Sequence, residues 1–315
     1  MQKHGRTAAG KQRFRCIDCN ITGTRKRPDT TKSGWKKRFL SWIISSKHIT
    51  DLCKDWHCSR MTALRNFDLL WTKKPEPNAC IVNSDDILIL DATAVVSRET
   101  VVCIARTKEY VATWYFAPRE SYTSWTTLIS LIEGTPAAIV CDGQKGLLKA
   151  IFERWPSMPV QRCVIHIHRM ATSMLRGSKY QAGQELFVLA DALLGIHTIP
   201  DSILWKKAFL EWYEKYHDFL KEKAYNPEHK KSWWYIHRKI RSAASLLWNS
   251  LPQLFLYLHN PQVPRTSNHL EGGVNSRLKD LFRIHRGISK TKKITLTAWY
   301  LKVKQQSKKP TRNVT

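Results

Sequence analysis

Between residues 85 and 168 the hydrophobic pattern switches back and forth between two periods, and no other feature of the chain limits its fold as strongly. DDILILDATAV (85–95), ETVVCIART (99–107) and YVATWYFAP (110–118) are β-branched and apolar with turn residues between them, which predicts three successive strands in an antiparallel meander. SWTTLISLIEG (124–134) has helical spacing and a Gly stop, and AAIVCDG (137–143) reads as a buried strand. GLLKAIFERW (146–155) reads as a helix ended by Pro156, and VQRCVIHIH (160–168) as a fifth strand. Strand, strand, strand, helix, strand, helix, strand is the order of an α/β domain with a mixed sheet and helices packed on it.

The flanks read differently. Residues 1–34 are a basic segment of loop and short strand that presents Cys16-x-x-Cys19, half of a zinc-ribbon-like site. A tetrahedral zinc needs four ligands and this pair supplies two, with His4 a possible third. Residues 35–78 predict three short helices and a linker. Trp35, Phe39, Trp42 and Ile43 face inward from the first helix, Ile49, Leu52 and Cys53 from the second, and Met61, Leu64 and Phe67 from the third, which Ser59 caps. Arg60, Arg65 and Asn66 then point outward, as in a helix-turn-helix whose last helix enters a major groove; a plain three-helix packing unit is the alternative. Lys73-Lys74-Pro75-Glu76-Pro77 reads as extended linker. The core's first part is expected over 79–169. A Trp-rich α-helical insertion follows over 170–262, its Trp residues mostly core, and the second part of the core with a basic tail over 263–315.

Charge divides along the chain. The 315 residues carry 52 Lys and Arg against 25 Asp and Glu, a formal +27, and the excess lies at the two ends. Residues 1–38 hold 12 basic and 2 acidic side chains and residues 261–315 hold 13 and 2, whereas 79–165 hold 8 and 9. Basic flanks around an acid-containing core suit a polyanion partner, because Lys and Arg gain affinity from counterion release. The longest apolar stretches fall far short of the ~20 residues of a membrane span, so a chain without membrane contact is expected. The first 30 residues hold no apolar block before a small-residue cleavage site, so no secretory signal is expected and the eight Cys should stay reduced.

Within the neutral middle, Asp91 interrupts the first apolar strand and Asp142 ends the fourth. An acid on a buried strand costs desolvation unless it meets a partner or a cation, so two in one sheet invite a shared metal. Asp85 and Asp86 are alternatives to Asp91 that precede the strand. Glu271, in RTSNHLEGGVNSRLKD (265–280), is the third candidate, where a polar loop becomes a helix amid positive charge. Three carboxylates can hold two Mg²⁺ ~3.5–4 Å apart, one activating a water or 3′-hydroxyl and the other steadying the leaving oxygen of a phosphodiester. No P-loop, Ser-His-Asp or paired-His arrangement competes. Arg277, Arg283 and Arg286 fall along the Glu271 helix and its extension, where they would hold backbone phosphates. Cys163 and His166 read as structural or DNA-positioning residues near the site, with His168 on the same strand face as His166.

CDGQKGLLKAIFERWPSMPVQRCVIHIHRM (141–170), with its Asp142 and its Cys163-x-x-His166, closely resembles the bacterial Mutator-type insertion-sequence transposases. TSNHLEGGVNSRLKDLFRIHRGIS (266–289) resembles the segment of that family that carries the catalytic Glu, and Asp91 in LDATAV stands in the place of the first Asp. The resemblance implies an RNase H-like core with the triad Asp91, Asp142 and Glu271, interrupted by an α-helical insertion. It further implies two Mg²⁺, replaceable by Mn²⁺, and double-stranded DNA as partner, both terminal inverted repeats and target. The expected reaction is cleavage at transposon ends and 3′-hydroxyl strand transfer, in the prokaryotic cytoplasm and as a homo-oligomer assembled on DNA. A nuclease or resolvase that cuts without joining, and a non-catalytic DNA-binding regulator, are the alternatives.

Overall fold

The computed structural model describes residues 1–24, 32–45, 47–225, 232–267, 274–285 and 287–306. Two compact units divide the chain, Met1–Glu76 with Leu278–Val303, and Pro77–Arg277 with Lys304–Thr315. In the first, β1 (Gln2–Arg6), β2 (Gln12–Arg15) and β3 (Thr22–Thr24) form an antiparallel sheet in that order. The turn after β2 carries Cys16 and Cys19 and is closed by hydrogen bonds from Cys16 N–H to the Ile21 carbonyl and from Asn20 N–H to the Cys16 carbonyl. Helices α1 (Lys32–Ile44), α2 (Ile49–Asp55) and α3 (Arg60–Trp71) follow. Ser59 caps α3 by accepting the Thr62 N–H at 3.1 Å. The core of these helices is aromatic, with Trp42 stacked on Phe67 at 5.5 Å and Phe39 edge-on to Trp71 at 5.0 Å. Met61 is exposed, contrary to expectation, because the buried stripe of α3 runs Ala63, Phe67, Trp71 at a spacing of four.

The second unit opens with β4 (Cys80–Ile81) and the meander β5 (Ile87–Val96), β6 (Thr100–Arg106) and β7 (Val111–Ala117). Then come α4 (Tyr122–Ser130), β8 (Ile132–Glu133), which pairs with β4, β9 (Ala138–Cys141), α5 (Lys145–Arg154) and β10 (Val160–Arg162). The five-stranded sheet has the order β10-β9-β5-β6-β7, parallel across its first three strands and antiparallel across the rest. This is the mixed sheet that the alternating periods predict. One face buries Leu88, Leu90, Ile139 and Cys141 under Trp125, Leu128, Leu147 and Ile151 of α4 and α5. The opposite face buries Ile87, Ile89, Ala138 and Val140 against Val263.

The expected strand over 160–168 stops at Arg162, and a helix begins at Val164. The stretch V-Q-R-C-V-I-H-I-H fits either period, and burial of Val164, Ile167, Ala171 and Leu175 at helical spacing decides for α6 (Val164–Leu175). With α7 (Gln181–Ala192), α8 (Ile199–Lys215), α9 (Arg238–Ser250) and α10 (Leu256–His259), α6 builds a separate apolar cluster that includes Trp205, Phe209, Trp212 and Leu247. This helical block also holds an antiparallel strand pair, β11 (Lys223–Tyr225) with β12 (Trp233–Tyr235), that periodicity did not reveal. Of its tryptophans, Trp205 and Trp212 are core, while Trp233, Trp234 and Trp248 are exposed. Buried Gln161 ties the insertion to the sheet, donating to the Leu254 carbonyl at 2.8 Å and accepting the Tyr257 N–H at 3.1 Å.

Two more helices are described, α11 (Val274–Ile284) and α12 (Lys290–Gln306). From Leu278 to Val303 their residues belong to the first unit. Leu278, Leu281, Leu296 and Leu301 are fully buried. Trp299 meets Phe39 at 5.9 Å and donates its indole N–H to the Leu70 carbonyl at 3.1 Å, so the end of the chain completes the helical unit begun by α1–α3. Among the described residues no helix is long and apolar enough to cross a membrane.

Candidate active site

β5 and β9 pair in parallel with Ile89 opposite Val140. Two residues further on stand Asp91, within β5, and Asp142, one residue past the end of β9, so the register carries both toward the same end and face of the sheet. That face is the one buried around Ile89 and Val140. Asp91 is half-buried, and burial raises its carboxyl above the usual carboxylate range. The negative charge of Asp142 adds to the rise, while His166, the Ala92 amide and Arg106 oppose it. Asp91 Oδ1 accepts the Ala92 N–H at 2.9 Å and Oδ2 accepts from Asn275 Nδ2 at 2.6 Å. Asp142 Oδ1 accepts the Gln144 N–H at 3.0 Å. The turn after Asp142 needs Gly143, whose φ is +81° and where a Cβ would run into the Arg162 guanidinium.

A third carboxylate stands close by that sequence reasoning missed. Glu120, in the loop from β7 to α4, is pushed up to about 7 by burial and by the charges of Asp142 and Asp91. The Trp125 indole N–H lies 3.2 Å from both Glu120 Oε1 and Gln144 Oε1. Glu120, Trp125 and Gln144 therefore form a chain of polar contacts that ends at Asp142. Glu120 carries no local sequence signal, because it lies in a loop and its surroundings come from tertiary contacts.

Cys163, the N-cap of α6, and His166, in its first turn, converge on Ser267. Ser267 N–H donates to Cys163 Sγ at 3.3 Å, and Ser267 Oγ lies 3.4 Å from His166 Nδ1. Arg106 Nη2, from the end of β6, donates to the Ser267 carbonyl at 2.6 Å. All three polar groups of one buried serine are thereby held. Burial works to raise the Cys163 thiol, but hydrogen bonds and charge from His166 outweigh it and the pKa falls below the ordinary thiol value. The same hydrogen bond raises His166. His168 turns to another side of α6, where Nε2 meets Asp191 Oδ1 at 3.0 Å; it does not share a face with His166, because the segment is helix rather than strand.

Glu271 and Arg286 lie outside the described residues. Ser267 and Asn275 bracket the Glu271 segment, and both are joined to the Asp91 neighbourhood. Among the described residues Asn275 Oδ1 is buried with no hydrogen-bond partner, an oxygen next to Asp91 that a hard cation would satisfy. Asp85 and Asp86 precede β5, where Asp86 caps the Asn83 N–H at 2.8 Å. In the first unit Arg60 and Arg65 are exposed on α3, and Asn66 Nδ2 donates back to the Thr62 carbonyl at 2.7 Å. Arg283 pairs with Asp280 at 3.0 Å, and Arg277 is half-buried on α11. Cys16 is lowered by hydrogen bonds from the Cys19 and Asp18 backbone. Among the described residues no third His, Cys, Asp or Glu joins Cys16 and Cys19, or any other pair, at metal-binding distance.

Fold and site together define a mixed α/β core in which one aspartate stands in the central strand and a second follows the neighbouring parallel strand, near a Cys-x-x-His pair at the head of a helix. Residues 79–230 match the family described as transposase, Mutator family. This segment contains the whole five-stranded sheet and both aspartates. A relative, the transposase for insertion sequence element IS905 of Lactococcus lactis subsp. lactis (strain IL1403), is 32% identical over 104 residues. That alignment covers 29% of this chain and 27% of the relative, so it spans about a quarter of the relative's length.

Proposed function

We propose that the chain is a DNA transposase of the Asp-Asp-Glu type, with an RNase H-like core, that cuts at transposon ends and joins the freed 3′-hydroxyl to target DNA. The observation that carries the reading is that Asp91 in β5 and Asp142 just past the end of the parallel strand β9 stand close enough for the charge of one to raise the other, inside the segment that matches the Mutator family. Glu271 is the third acid. In the sequence it falls between Ser267 and Asn275, four residues from each, and both of those are joined to the Asp91 neighbourhood.

Asp91, Asp142 and Glu271 would hold two Mg²⁺, or Mn²⁺ in their place. Their donors are hard oxygens, and the unpartnered Asn275 Oδ1 beside Asp91 fits an oxygen-seeking cation. When bound, the ions supply an activated oxygen nucleophile and stabilise the leaving oxygen. Gly143 and Gln144 fix the orientation of the Asp142 carboxylate, and Asn275 fixes that of Asp91. In cleavage a water oxygen bonds to phosphorus and the 3′ oxygen leaves as a hydroxyl. In transfer that hydroxyl attacks a target phosphodiester and a target 3′-hydroxyl is released.

Duplex DNA, both ends and target, is the partner, and assembly on it as a homo-oligomer follows from the need to bring two ends together. The helices α1–α3 are read as the helix-turn-helix that presents Arg60, Arg65 and Asn66, and Cys16 and Cys19 as two of the ligands of a ribbon zinc. Arg277, Arg283 and Arg286 would hold backbone phosphates. The test uses a duplex with matched inverted repeats and a second substrate carrying a pre-cut 3′-hydroxyl end. Glu271→Gln should bind the ends normally and neither nick nor join. Nicking retained by that variant overturns the triad, and cleavage without joining by the native chain assigns a nuclease instead.

A further inference from the structure

The helical insertion contains a cavity of about 430 Å³ that the acid site does not use. It lies between the turn that follows α6 and the start of α9, and its wall includes Arg176, Lys179, Tyr180, His237, Arg238 and Lys239. The four cations are exposed, and no described lining residue is acidic. Two helices begin at this wall. Tyr180 is the N-cap of α7 and His237 that of α9, and neither caps its helix with its side chain, so each end adds the partial positive charge of unpaired amides.

His237 gives an independent sign of a ligand. Its ring is only 5% exposed, stacked on Phe219 at 3.6 Å and edge-on to Tyr180 at 4.6 Å. Nε2 is held by Glu222 Oε2 at 2.8 Å, from a residue outside the cavity wall. Nδ1 is buried without a hydrogen-bond partner among the described residues, and His237 itself lines the cavity. Such an orphan is costly in a folded protein, and with the other nitrogen fixed it is the ring atom left to meet an occupant.

We propose that this cavity binds a backbone phosphate of duplex DNA. Arg176 and Arg238 offer guanidinium forks to the phosphate oxygens, Lys179 and Lys239 add point charge, and the start of α9 supplies amide donors. The inference rests on the reading of the chain as a DNA-acting protein and assigns to the insertion a part in holding the duplex.

The experiment measures binding of a labelled random-sequence duplex to the full chain by fluorescence anisotropy over a range of NaCl. Arg176→Gln/Lys239→Gln removes two exposed cavity cations, and Lys207→Gln/Lys221→Gln removes the same charge from exposed positions off the cavity. The cavity variant should bind about tenfold more weakly near physiological salt, with a salt slope shallower by about 1, whereas the control pair should change little. Equal losses in both pairs, or none in the cavity pair, overturn the proposal. Calorimetric titration with inorganic phosphate supplies a second arm. Phosphate binding lost in the cavity variant while duplex binding is unchanged makes this a free-phosphate site and overturns the assignment to DNA. No duplex binding by the native chain would strike the parent reading as well, whereas native binding with an unaltered cavity variant strikes the cavity alone.

Discussion

Burial beside Asp142 and Asp91 raises Glu120 from 4.5 to about 7, so between those values the folded chain holds a proton that the unfolded chain has released. Stability contributed by this residue is therefore present at low pH and lost as pH rises through that window. Glu120→Gln should melt higher than the native chain at about pH 8 in metal-free buffer and alike at about pH 4; parallel pH profiles would show that Glu120 is not buried against the acids. Gly143→Ala meets both a left-handed φ and the Arg162 side chain, and should cost about 1–3 kcal/mol in denaturant unfolding. Asp91 and Asp142 were legible in the sequence because a charge that interrupts or ends an apolar strand is conspicuous. Glu120, Arg106 and Asn275 were not, because their roles come from tertiary contacts. Nothing in the residues around Ser267 announces that Cys163, His166 and Arg106 meet on it.

Among elements, the meander and the strand–helix alternation were legible because period and turn residues agree there. The head of α6 was not, since Val160–His168 satisfies a strand pattern and a helix pattern equally, and only burial of Ile167, Ala171 and Leu175 separates them. The return of the chain's end onto α1–α3 was hidden for another reason. Pairing of distant helices depends on shape, and the Trp299 contact with Phe39 has no local signature. That packing buries His285 against Trp42 at 4.6 Å, and burial, together with the charge of His48, lowers its pKa from 6.5 to about 4. The unfolded chain takes up this proton first, so the contribution of His285 is full above 6.5 and is lost as pH falls toward 4. Thermal melts should show the native chain losing stability between about pH 6.5 and 4, and His285→Leu losing less; an unchanged acid response would remove His285 as the cause. Trp299→Ala should cost about 3–5 kcal/mol by the cavity it leaves, measured by denaturant unfolding.

For the whole molecule, the excess of Lys and Arg at the two ends and the neutral stretch between them are what the proposed function would use, the basic segments to grip a polyanion and the acids to act on it. Charge distribution was readable directly from sequence because it needs no fold, whereas the convergence of the acids needs the register of β5 and β9. The central claim is that this convergence is a metal-dependent phosphodiester centre. Its most direct test is single-turnover nicking, in Mg²⁺, of a duplex bearing matched inverted repeats, by the native chain and by Asp142→Asn at concentrations where both bind that duplex to saturation. The account predicts nicking by the native chain and a rate lower by ~10³-fold or more in the variant. An undiminished rate in a binding-competent Asp142→Asn would contradict it.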